Sequence, residues 1–292
     1  MGPMNPTNPK NPTNRRRRLD QRLLDDGLTE SRTRAQGLIL AGQVRVDGRR
    51  VDKPGTLIPP EATVSLMAPE HPFVGRGGMK LRAALDAFGV IVTDMVCLDV
   101  GAGTGGFTDC LLQAGAARVI AVDVGHGHLH PRLRHNPRVT VLERANVRFL
   151  TPAHLPEPPD LVVVDVAFIS LRLVLPVIAD LLRPAGEIVA LIKPQFEAGR
   201  REVGKGGVIR DPAKQGATVR TVVGAAQGIG LTVKGLCASP IKGAKGNREF
   251  FVHLVKGGGV PAAGVTLDDL IERAVGSVQR PVRVQRTGGG LM

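Results

Sequence analysis

Short apolar runs alternate with amphipathic stretches along most of the chain after residue 76. This pattern predicts strands at 95–100, 119–122, 139–142, 161–166, 187–192, 231–236 and 250–255, and helices at 78–88, 106–114, 171–182, 212–226 and 266–278. Strands that alternate with helices imply an α/β domain, with a mostly parallel sheet covered by helices on both faces. The last two strands are joined by a loop without a helix, so we expect an antiparallel hairpin at the sheet edge.

A smaller pattern precedes this domain. Residues 19–26 and 31–41 have the periodicity of two short helices, and Gly42 follows the second as a C-terminal cap. Two short strands then flank Asp47-Gly48, a dipeptide typical of two-residue hairpin turns. We therefore predict a small α+β domain over residues 15–68.

Composition suggests where the domains end. Residues 1–14 are rich in Pro, Asn and Thr and are predicted to be disordered. Residues 69–76 form a linker, and 77–278 form the α/β domain including its C-terminal helix. Residues 279–292 form a basic, glycine-rich tail.

The charge balance points to a polyanionic partner. The 292-residue chain has a formal net charge of +13, which favours nucleic acid before a membrane surface. Aromatic residues make up only 3%, without Trp or Tyr, so phosphate contacts and shape should dominate over base stacking.

The cysteines, Cys97, Cys110 and Cys237, lie in apolar contexts without metal-site spacing and are expected to be buried thiols in a reducing compartment. No apolar run is long enough to span a membrane and no secretory signal is recognisable, so we expect a cytoplasmic protein.

A glycine-rich loop is the strongest chemical motif. The strand ending in Leu98-Asp99-Val100 runs into Gly101-Ala102-Gly103-Thr104-Gly105-Gly106-Phe107, and the next strand ends in Asp123. Such glycines let the backbone approach a ligand where a helix begins, and an acid after the next strand can accept hydrogen bonds from a ribose. The motif predicts a nucleotide-like cofactor, and NAD is one candidate.

The loop also resembles the first cofactor motif of S-adenosylmethionine-dependent methyltransferases. In that family the glycines approach the methionine moiety of the cofactor, and the acid after the second strand holds its ribose. The resemblance implies that Asp99 lines the cofactor pocket and that Asp123 binds the ribose. The implied cofactor-binding residues are Asp99, Gly101, Gly103, Gly105, Gly106, Phe107 and Asp123.

Four charged residues are predicted at the carboxyl edge of the sheet, where open α/β sheets bind ligands. Asp165 and Lys193 follow apolar strands, Glu249 begins the last strand, and Lys80 lies on the helix that enters the domain. These side chains are costly to bury unpaired, so packing alone does not explain them.

This set resembles the Lys–Asp–Lys–Glu tetrad of the FtsJ-like ribose 2′-O-methyltransferases. The matching segments are Gly77-Gly78-Met79-Lys80-Leu81, Asp165-Val166-Ala167-Phe168-Ile169-Ser170-Leu171, Lys193-Pro194-Gln195-Phe196-Glu197, Gly204-Lys205-Gly206-Gly207-Val208-Ile209-Arg210-Asp211 and Asn247-Arg248-Glu249-Phe250. The resemblance implies a Rossmann-like methyltransferase fold in which Lys193 lies nearest the ribose hydroxyl and Lys80 assists. Asp165 would orient the lysine, and Glu249 would complete the hydrogen-bonded frame.

The amino-terminal domain resembles the RNA-binding domain named after small-subunit ribosomal protein S-four. The match is carried by Arg18-Leu19-Asp20, Ser31-Arg32-Thr33-Arg34-Ala35, Leu38-Ile39, Gly42-Gln43-Val44-Arg45-Val46-Asp47-Gly48 and Val51-Asp52-Lys53-Pro54-Gly55. That family presents basic side chains to structured RNA, which here would be Arg18, Arg32, Arg34, Arg45, Arg49 and Arg50.

With both domains together, residues 15–278 resemble the TlyA (haemolysin A-like) family of ribosomal RNA methyltransferases. The resemblance implies 2′-O-methylation of cytidine in 16S or 23S ribosomal RNA, with S-adenosylmethionine as cofactor and ribosomal RNA or ribosomal subunits as partners. The chain departs from the family in its linker, which has Phe73 where a Trp or Tyr is common.

Two other hypotheses remain open from the sequence. A nicotinamide-dependent oxidoreductase would use the same glycine loop but would not need the segments around Lys193 and Glu249. A non-catalytic RNA-binding or membrane-lytic protein would not need the tetrad. The chain has neither a spanning segment nor a basic amphipathic helix with a clear apolar face, as lysis would require.

Overall fold

The computed structural model describes residues 16–29, 31–40, 42–67, 71–199, 202–204, 206–243, 246–258 and 266–276. The predicted disordered tail 1–14, residues 69–70 of the linker, Lys205, the last two residues of helix 266–278 and the tail 279–292 lie outside these ranges. The chain divides into two compact units between Pro72 and Phe73, inside the predicted linker 69–76.

The amino-terminal unit is a small α+β fold. Its elements are β1 (Arg17–Arg18), α1 (Leu19–Asp25), α2 (Arg32–Leu40), β2 (Val44–Val46), β3 (Arg49–Arg50), β4 (Leu57–Ile58) and β5 (Val64–Leu66). Strands β3, β2 and β5 form an antiparallel sheet in that order, and β1 pairs with β4. The predicted hairpin is confirmed, since Arg45 pairs with Arg50 across the turn. Asp47 and Gly48 both have positive φ, 49° and 77°, as a two-residue turn of this kind requires.

A small apolar core holds the two helices against the sheet. Its fully buried members are Leu19, Leu23, Ala35, Ile39 and Val44. A unit of this size buries little apolar surface, so individual polar contacts weigh more in its stability than they would in a large domain.

One buried carboxylate ties the two helices together. Asp20 on α1 accepts hydrogen bonds from Arg18 (3.0 and 3.1 Å), from Arg32 (3.0 Å) and from Gln36 (2.9 Å). The Arg18 guanidinium, more than the other two donors, holds the pKa of Asp20 well below its usual range. Two of the six arginines predicted to bind RNA therefore have an internal partner, although their side chains stay 48% (Arg18) and 50% (Arg32) exposed.

The depressed pKa of Asp20 predicts acid sensitivity of the amino-terminal unit. Its pKa in the unfolded chain is about 3.9, so the stabilisation from these contacts is complete above about pH 5 and is lost progressively as the pH falls below that value and through the lower folded pKa. We expect hydrogen-exchange protection of the α1 and α2 amides, corrected for intrinsic rates, to fall with acid more steeply in the wild type than in Asp20→Asn. Equal pH slopes in the two proteins would contradict this account.

The second unit contains one sheet between two layers of helices. Its helices are α3 (Gly77–Phe88), α4 (Gly106–Gln113), α5 (Pro131–Arg134), α6 (Leu171–Leu181), α7 (Pro194–Glu197), α8 (Pro212–Gly228) and α9 (Leu267–Gly276). Its strands are β6 (Val96–Val100), β7 (Arg118–Asp123), β8 (Val139–Glu143), β9 (Leu161–Val164), β10 (Glu187–Ile192), β11 (Leu231–Ala238) and β12 (Phe250–Lys256).

The strand order in the sheet is β11-β12-β10-β9-β6-β7-β8. Strands β8, β7, β6, β9 and β10 pair in parallel, whereas β12 is antiparallel to both β10 and β11. The predicted mostly parallel sheet with an antiparallel last strand is confirmed, and the predicted edge hairpin is β11–β12. Because β12 runs backwards, its first residues lie at the edge where its parallel neighbours end.

Alternate residues of each strand serve the two helical layers. Leu98, Val162 and Ile188 face the layer that contains α6, α8 and α9, whereas Cys97 and Val163 face the layer that contains α3, α4 and α5. Helices cover both faces of the sheet, so the loops at its carboxyl edge follow strands that are buried on both sides.

Several predicted boundaries shift. Strand β9 ends at Val164, two residues before the predicted end, because Asp165 and Val166 leave the sheet. The predictions missed the short helices α5 and α7, each of which begins with a proline at its first turn.

Cys97 and Cys110 are buried as expected, but Cys237 on the edge strand β11 is only half-buried. Burial raises the pKa of all three thiols to about 12.

Candidate active site

The glycine loop after β6 lines a cavity at the carboxyl edge of the sheet. The cavity has a volume of about 200 Å³. Its walls are Gly77, Gly101, Ala102, Gly103, Thr104, Gly106, Phe107 and Asp165. Four of the seven predicted cofactor residues thus share one wall with a member of the predicted tetrad.

Glycine is required in this loop by backbone proximity. Gly101 has a φ of 87°, and a Cβ there would lie 2.5 Å from the carbonyl oxygen of Asp165. At Gly106, which begins α4, a Cβ would lie 3.0 Å from the backbone nitrogen of Gly78. The loop therefore packs backbone to backbone against the two segments that carry Asp165 and Lys80.

Asp123 holds the loop from the end of β7. Its carboxylate accepts a hydrogen bond from the Gly103 N–H (2.8 Å) and another from the Gly125 N–H (2.6 Å). Each carboxylate oxygen can accept more than one hydrogen bond, so these contacts leave capacity for a ribose hydroxyl. Asp123 and Gly105 lie outside the cavity wall, and Gly105 packs against Leu133 of α5 instead.

Asp99 lies beneath the loop and is fully buried. Thr108 donates a 2.6 Å hydrogen bond to its Oδ2, and Oδ1 has no hydrogen-bond partner among the described residues. Burial, supplemented by the nearby charges of Asp165 and Asp123, raises the pKa of Asp99 to about 7. Asp99 is therefore not among the residues that line the cavity.

A nucleoside cofactor bearing an amino-acid group fits this arrangement. The glycines of the loop leave room for a ligand along one wall of the cavity, and Asp123 offers acceptors at the strand end. Charged and hydroxyl donors on such a ligand would find these acceptors, whereas a purely apolar ligand would leave them unsatisfied.

The four tetrad candidates form two ion pairs. Lys193, just after β10, pairs with Asp165, just after β9. Lys80 on α3 donates a 2.6 Å hydrogen bond to Glu249 at the start of β12. The two lysine side chains are only 13% (Lys193) and 12% (Lys80) exposed, and Glu249 is 3% exposed. Each ammonium therefore lies in a largely dry environment beside one carboxylate.

The loop before β12 leaves a place for the Glu249 carboxylate. A Cβ on Gly243 would lie 2.2 Å from Glu249 Oε1. The backbone N–H of Ser239 also donates to the Glu249 carbonyl at 2.8 Å, which fixes the start of the strand.

Two buried amides hold the glycine-rich segment beside this loop. Asn247 accepts a hydrogen bond from the Ile209 N–H (3.0 Å) and donates one to the Gly207 carbonyl (2.8 Å). Gln215 on α8 donates to the Ile209 carbonyl at 2.8 Å. The segment around residues 206–211 is thereby attached to the strand that carries Glu249.

The start of the second unit packs onto the glycine loop. The Val74 N–H donates to Asp109 of α4 at 2.8 Å, and a Cβ on Gly75 would lie 2.8 Å from the Thr104 hydroxyl. Phe73 lies directly against Gly78. Residues 73–76, assigned to the linker from sequence, are therefore part of the support for the cavity.

An exposed aromatic side chain at the site was not foreseen from the sequence. Phe168, between Asp165 and α6, is 90% exposed and has a φ of 62°, which is rare for a bulky residue. Its ring lies 5.0 Å from that of Phe196, on the helix after Lys193. Nothing in the residue pattern indicates this exposure, because Phe is ordinarily a core residue.

The remaining predicted RNA-binding arginines lie on the amino-terminal unit. Arg34, Arg45, Arg49 and Arg50 are all exposed. Arg45 donates to the Gly48 carbonyl at 3.0 Å, and the Arg50 guanidinium lies over Gly42. Three of the four thus cluster on the β2–β3 hairpin.

Comparison with known families decides the assignment. Residues 73–256 match the FtsJ-like methyltransferase family. The chain belongs to that family. Residues 17–64 match the S4 domain. S-adenosylmethionine is therefore the cofactor of this FtsJ-like enzyme, which resolves the alternative of a nicotinamide cofactor.

Relatives resemble the chain over both units. A Mycobacterium tuberculosis protein named 16S/23S rRNA (cytidine-2′-O)-methyltransferase TlyA is 44% identical, over 89% of this chain and 98% of that protein. Hemolysin A of Brachyspira hyodysenteriae is 41% identical, over 82% of this chain and 99% of that protein. A solved structure from Streptococcus thermophilus, also named a hemolysin, is 40% identical with a TM-score of 0.70, covering 90% of this chain and 95% of that one.

Some relatives carry a name that suggests membrane lysis. In the part of the chain that the structure describes, no helix has the length and apolar character needed to cross a membrane.

Because Gly243 lies so close to the Glu249 carboxylate, a substitution at Gly243 can displace that carboxylate while Glu249 itself is retained. In Gly243→Ala the new methyl group must push the carboxylate away from Lys80, so we expect methyl transfer to fall about 10–100-fold. Calorimetry should find the affinity for S-adenosylmethionine unchanged, because the cavity wall is untouched. Gly224→Ala is the matched control, since a Cβ there meets nothing within 4 Å. Equal activity of both variants would contradict the proposed placement of Glu249.

Proposed function

We propose that this protein methylates the ribose 2′-hydroxyl of a cytidine in ribosomal RNA, with S-adenosylmethionine as methyl donor. The observation that carries the proposal is the pair of nearly buried lysines, each beside a carboxylate, next to a glycine-walled cavity. Asp165 belongs to both features, since it lines the cavity and pairs with Lys193. The names of the relatives support the substrate.

The reaction needs alignment and charge stabilisation. S-adenosylmethionine, when bound, supplies a methyl group already activated by its positive sulfur. A ribose hydroxyl is a weak nucleophile while it keeps its proton, and negative charge develops on its oxygen as the proton passes to solvent water. An ammonium in a dry site stabilises that charge without reorganisation, which is a large catalytic effect.

We assign the roles as follows. Lys193 lies closest to the reacting hydroxyl and stabilises the developing alkoxide, and Lys80 assists. Asp165 orients Lys193 through their ion pair, and Glu249 does the same for Lys80. Because both lysines are held by carboxylates from separate elements, the substrate oxygen meets a preorganised pair of charges.

The RNA would be held mainly through its phosphates. The exposed arginines of the S4 unit and the net charge of +13 favour phosphate contacts, which supply most non-specific affinity. Phe168 offers an exposed ring beside Asp165 on which an unstacked base can lie, a mode typical of single-stranded RNA recognition. We propose ribosomal subunits as the partner and, because ribosomes are the source of this substrate, the cytoplasm as the compartment.

One experiment tests reaction and substrate together. Purified protein is given radiolabelled S-adenosylmethionine with 30S subunits, 50S subunits or naked ribosomal RNA, and the labelled nucleotide is mapped. Label on a cytidine 2′-oxygen supports the proposal. Label on a base, or none on any RNA, would overturn it.

The catalytic assignment predicts separable defects in two variants. Lys193→Ala should lower transfer about 10²–10³-fold, because a preorganised charge at the alkoxide is lost, while cofactor affinity persists. Asp123→Ala should instead raise the Kd for S-adenosylmethionine roughly 10–100-fold, since hydrogen bonds to a charged group contribute about 1.5–3 kcal/mol. Transfer kinetics and calorimetry measure the two effects. Lys214→Ala, which removes an exposed lysine paired with Glu202, is the control. Near-normal turnover of Lys193→Ala would show that the tetrad assignment is wrong.

The arginine cluster predicts a change in salt dependence. Replacing Arg34, Arg45 and Arg49 together with alanine should flatten the slope of log affinity against log salt by about 2–3 units, since each lost phosphate contact contributes roughly 0.7–0.9. Filter binding to ribosomal RNA at several salt concentrations measures the slope. Arg183→Ala, at the opposite edge of the sheet from the cavity, shows how little the slope changes when one distant positive charge is removed. An unchanged slope in the triple variant would mean that another surface holds the RNA.

A further inference from the structure

We infer that Glu197 is a positioning residue that fixes the loop bearing Asp165 relative to the turn bearing Lys193. The inference rests on the proposed function, because it concerns the geometry of that tetrad. The carboxylate of Glu197 binds Ser170 and Leu171 and not the tetrad lysines. It acts through the backbone segments that place Asp165 and Lys193 at the ends of neighbouring strands.

Glu197 is a nearly buried acid whose two oxygens are both occupied. Oε2 accepts a 2.5 Å hydrogen bond from the Ser170 hydroxyl, and Oε1 accepts a 2.7 Å hydrogen bond from the Leu171 N–H. Burial raises the pKa of Glu197, and these two hydrogen bonds oppose that rise. A carboxylate kept in so dry a place requires such donors, so the contact is specific in geometry.

On one side Glu197 is coupled to Lys193 by a single turn of helix. Lys193 is the residue before α7, and Pro194 begins that helix. The Phe196 N–H donates to the Lys193 carbonyl at 2.9 Å, and the Ala198 N–H donates to the Pro194 carbonyl at 2.9 Å. The position of the Glu197 side chain therefore sets where the backbone of Lys193 can lie.

On the other side Glu197 fixes the far end of the Asp165 loop. Ser170 caps α6, accepting a hydrogen bond from the Arg172 N–H at 3.2 Å. The near end of the loop is held by the Asp165 N–H, which donates to the Val100 carbonyl at 2.9 Å. Between these anchors Phe168 has a positive φ, a conformation that persists only where the surroundings enforce it.

The loop and the turn are therefore joined at three places. Glu197 meets Ser170 and Leu171, Phe168 meets Phe196, and Asp165 meets Lys193. Of these, the Glu197 contact is buried, whereas Phe168 is exposed and the ion pair must engage the substrate. The Glu197 contact can therefore hold the Phe168–Phe196 and Asp165–Lys193 pairs in place while RNA binds and leaves.

A helix cap without a positioning role would behave differently. Loss of a cap lowers stability and leaves turnover of the folded protein intact. Loss of a positioning contact lowers kcat while the affinities for cofactor and RNA change little, because the binding groups remain. Rescue by glutamine separates the two further, since its amide oxygen can still accept from the Leu171 N–H and its amide can donate to the Ser170 oxygen in place of Arg172 Nε.

The test compares four variants of the full-length protein: Glu197→Ala, Glu197→Gln, Ser170→Ala and Thr266→Ala. Thr266 donates to and accepts from Asp269 at the start of α9, so its removal deletes a surface cap elsewhere. Methyl transfer to the ribosomal subunit modified by the wild type gives kcat and KM. Calorimetry gives the S-adenosylmethionine Kd, and thermal unfolding gives Tm.

We expect Glu197→Ala to lower kcat about 10–100-fold, with KM and Kd each within about threefold of wild type. Glu197→Gln should recover most of kcat, Ser170→Ala should fall between them, and Thr266→Ala should lower Tm with kcat within about twofold. If Glu197→Ala does not fold, the test rests on the other two variants. We then expect the kcat of Ser170→Ala to lie below that of Glu197→Gln.

The inference is overturned if the Glu197 and Ser170 variants keep wild-type kcat at temperatures where they are folded, or if glutamine is as damaging as alanine. A wild type that transfers no methyl group to any ribosomal RNA would instead overturn the proposed function, and the inference with it, before any variant is compared.

Discussion

Charge pairing in a dry site is the constraint on which this structure depends. An ammonium as little exposed as those of Lys193 and Lys80 is stable only beside a carboxylate, because desolvation costs several kcal/mol per ion. The sheet topology supplies those carboxylates. The adjacent parallel strands β9 and β10 end at the same edge of the sheet, where Asp165 meets Lys193. The reversed strand β12 begins at that same edge, so it presents Glu249 where a parallel strand would present its last residue.

A second constraint is the lack of room between the segments that carry these charges. Gly101 lies against the carbonyl of Asp165, Gly106 lies against the backbone of Gly78, and Gly243 leaves the space that the Glu249 carboxylate fills. Side chains at these places would separate the cofactor loop from the tetrad. The glycines thus do more than allow sharp turns, because they set how close a methyl donor and the lysines can come. Holding reacting groups in near-attack geometry has a large effect on the rate of such a transfer.

The sequence reveals the features that depend on local pattern. Apolar alternation predicts the sheet, the glycine spacing predicts the cofactor loop, and the charged residues after two apolar strands predict the positions of Asp165 and Lys193. Contacts between segments distant in the chain are not predictable in this way. The positive φ of Phe168 and the burial of Glu197 arise because loops after neighbouring strands meet in space. Asp20 shows the same limit, since a charged residue in a short helix is ordinarily read as solvated, whereas here it is the buried acceptor for three side chains.

The contacts of Asp20 also change how the basic surface should be understood. A guanidinium has five N–H donors, and Asp20 takes two from Arg18 and one from Arg32. Asp20 engages only these three guanidinium donors, and both side chains stay about half exposed, so an internal ion pair is compatible with a phosphate contact. Because Asp20 has already restricted both arginines, either would lose less side-chain entropy on contacting a phosphate than an arginine that no carboxylate holds. The core of the amino-terminal unit thus sets the positions of two guanidinium groups on its own surface.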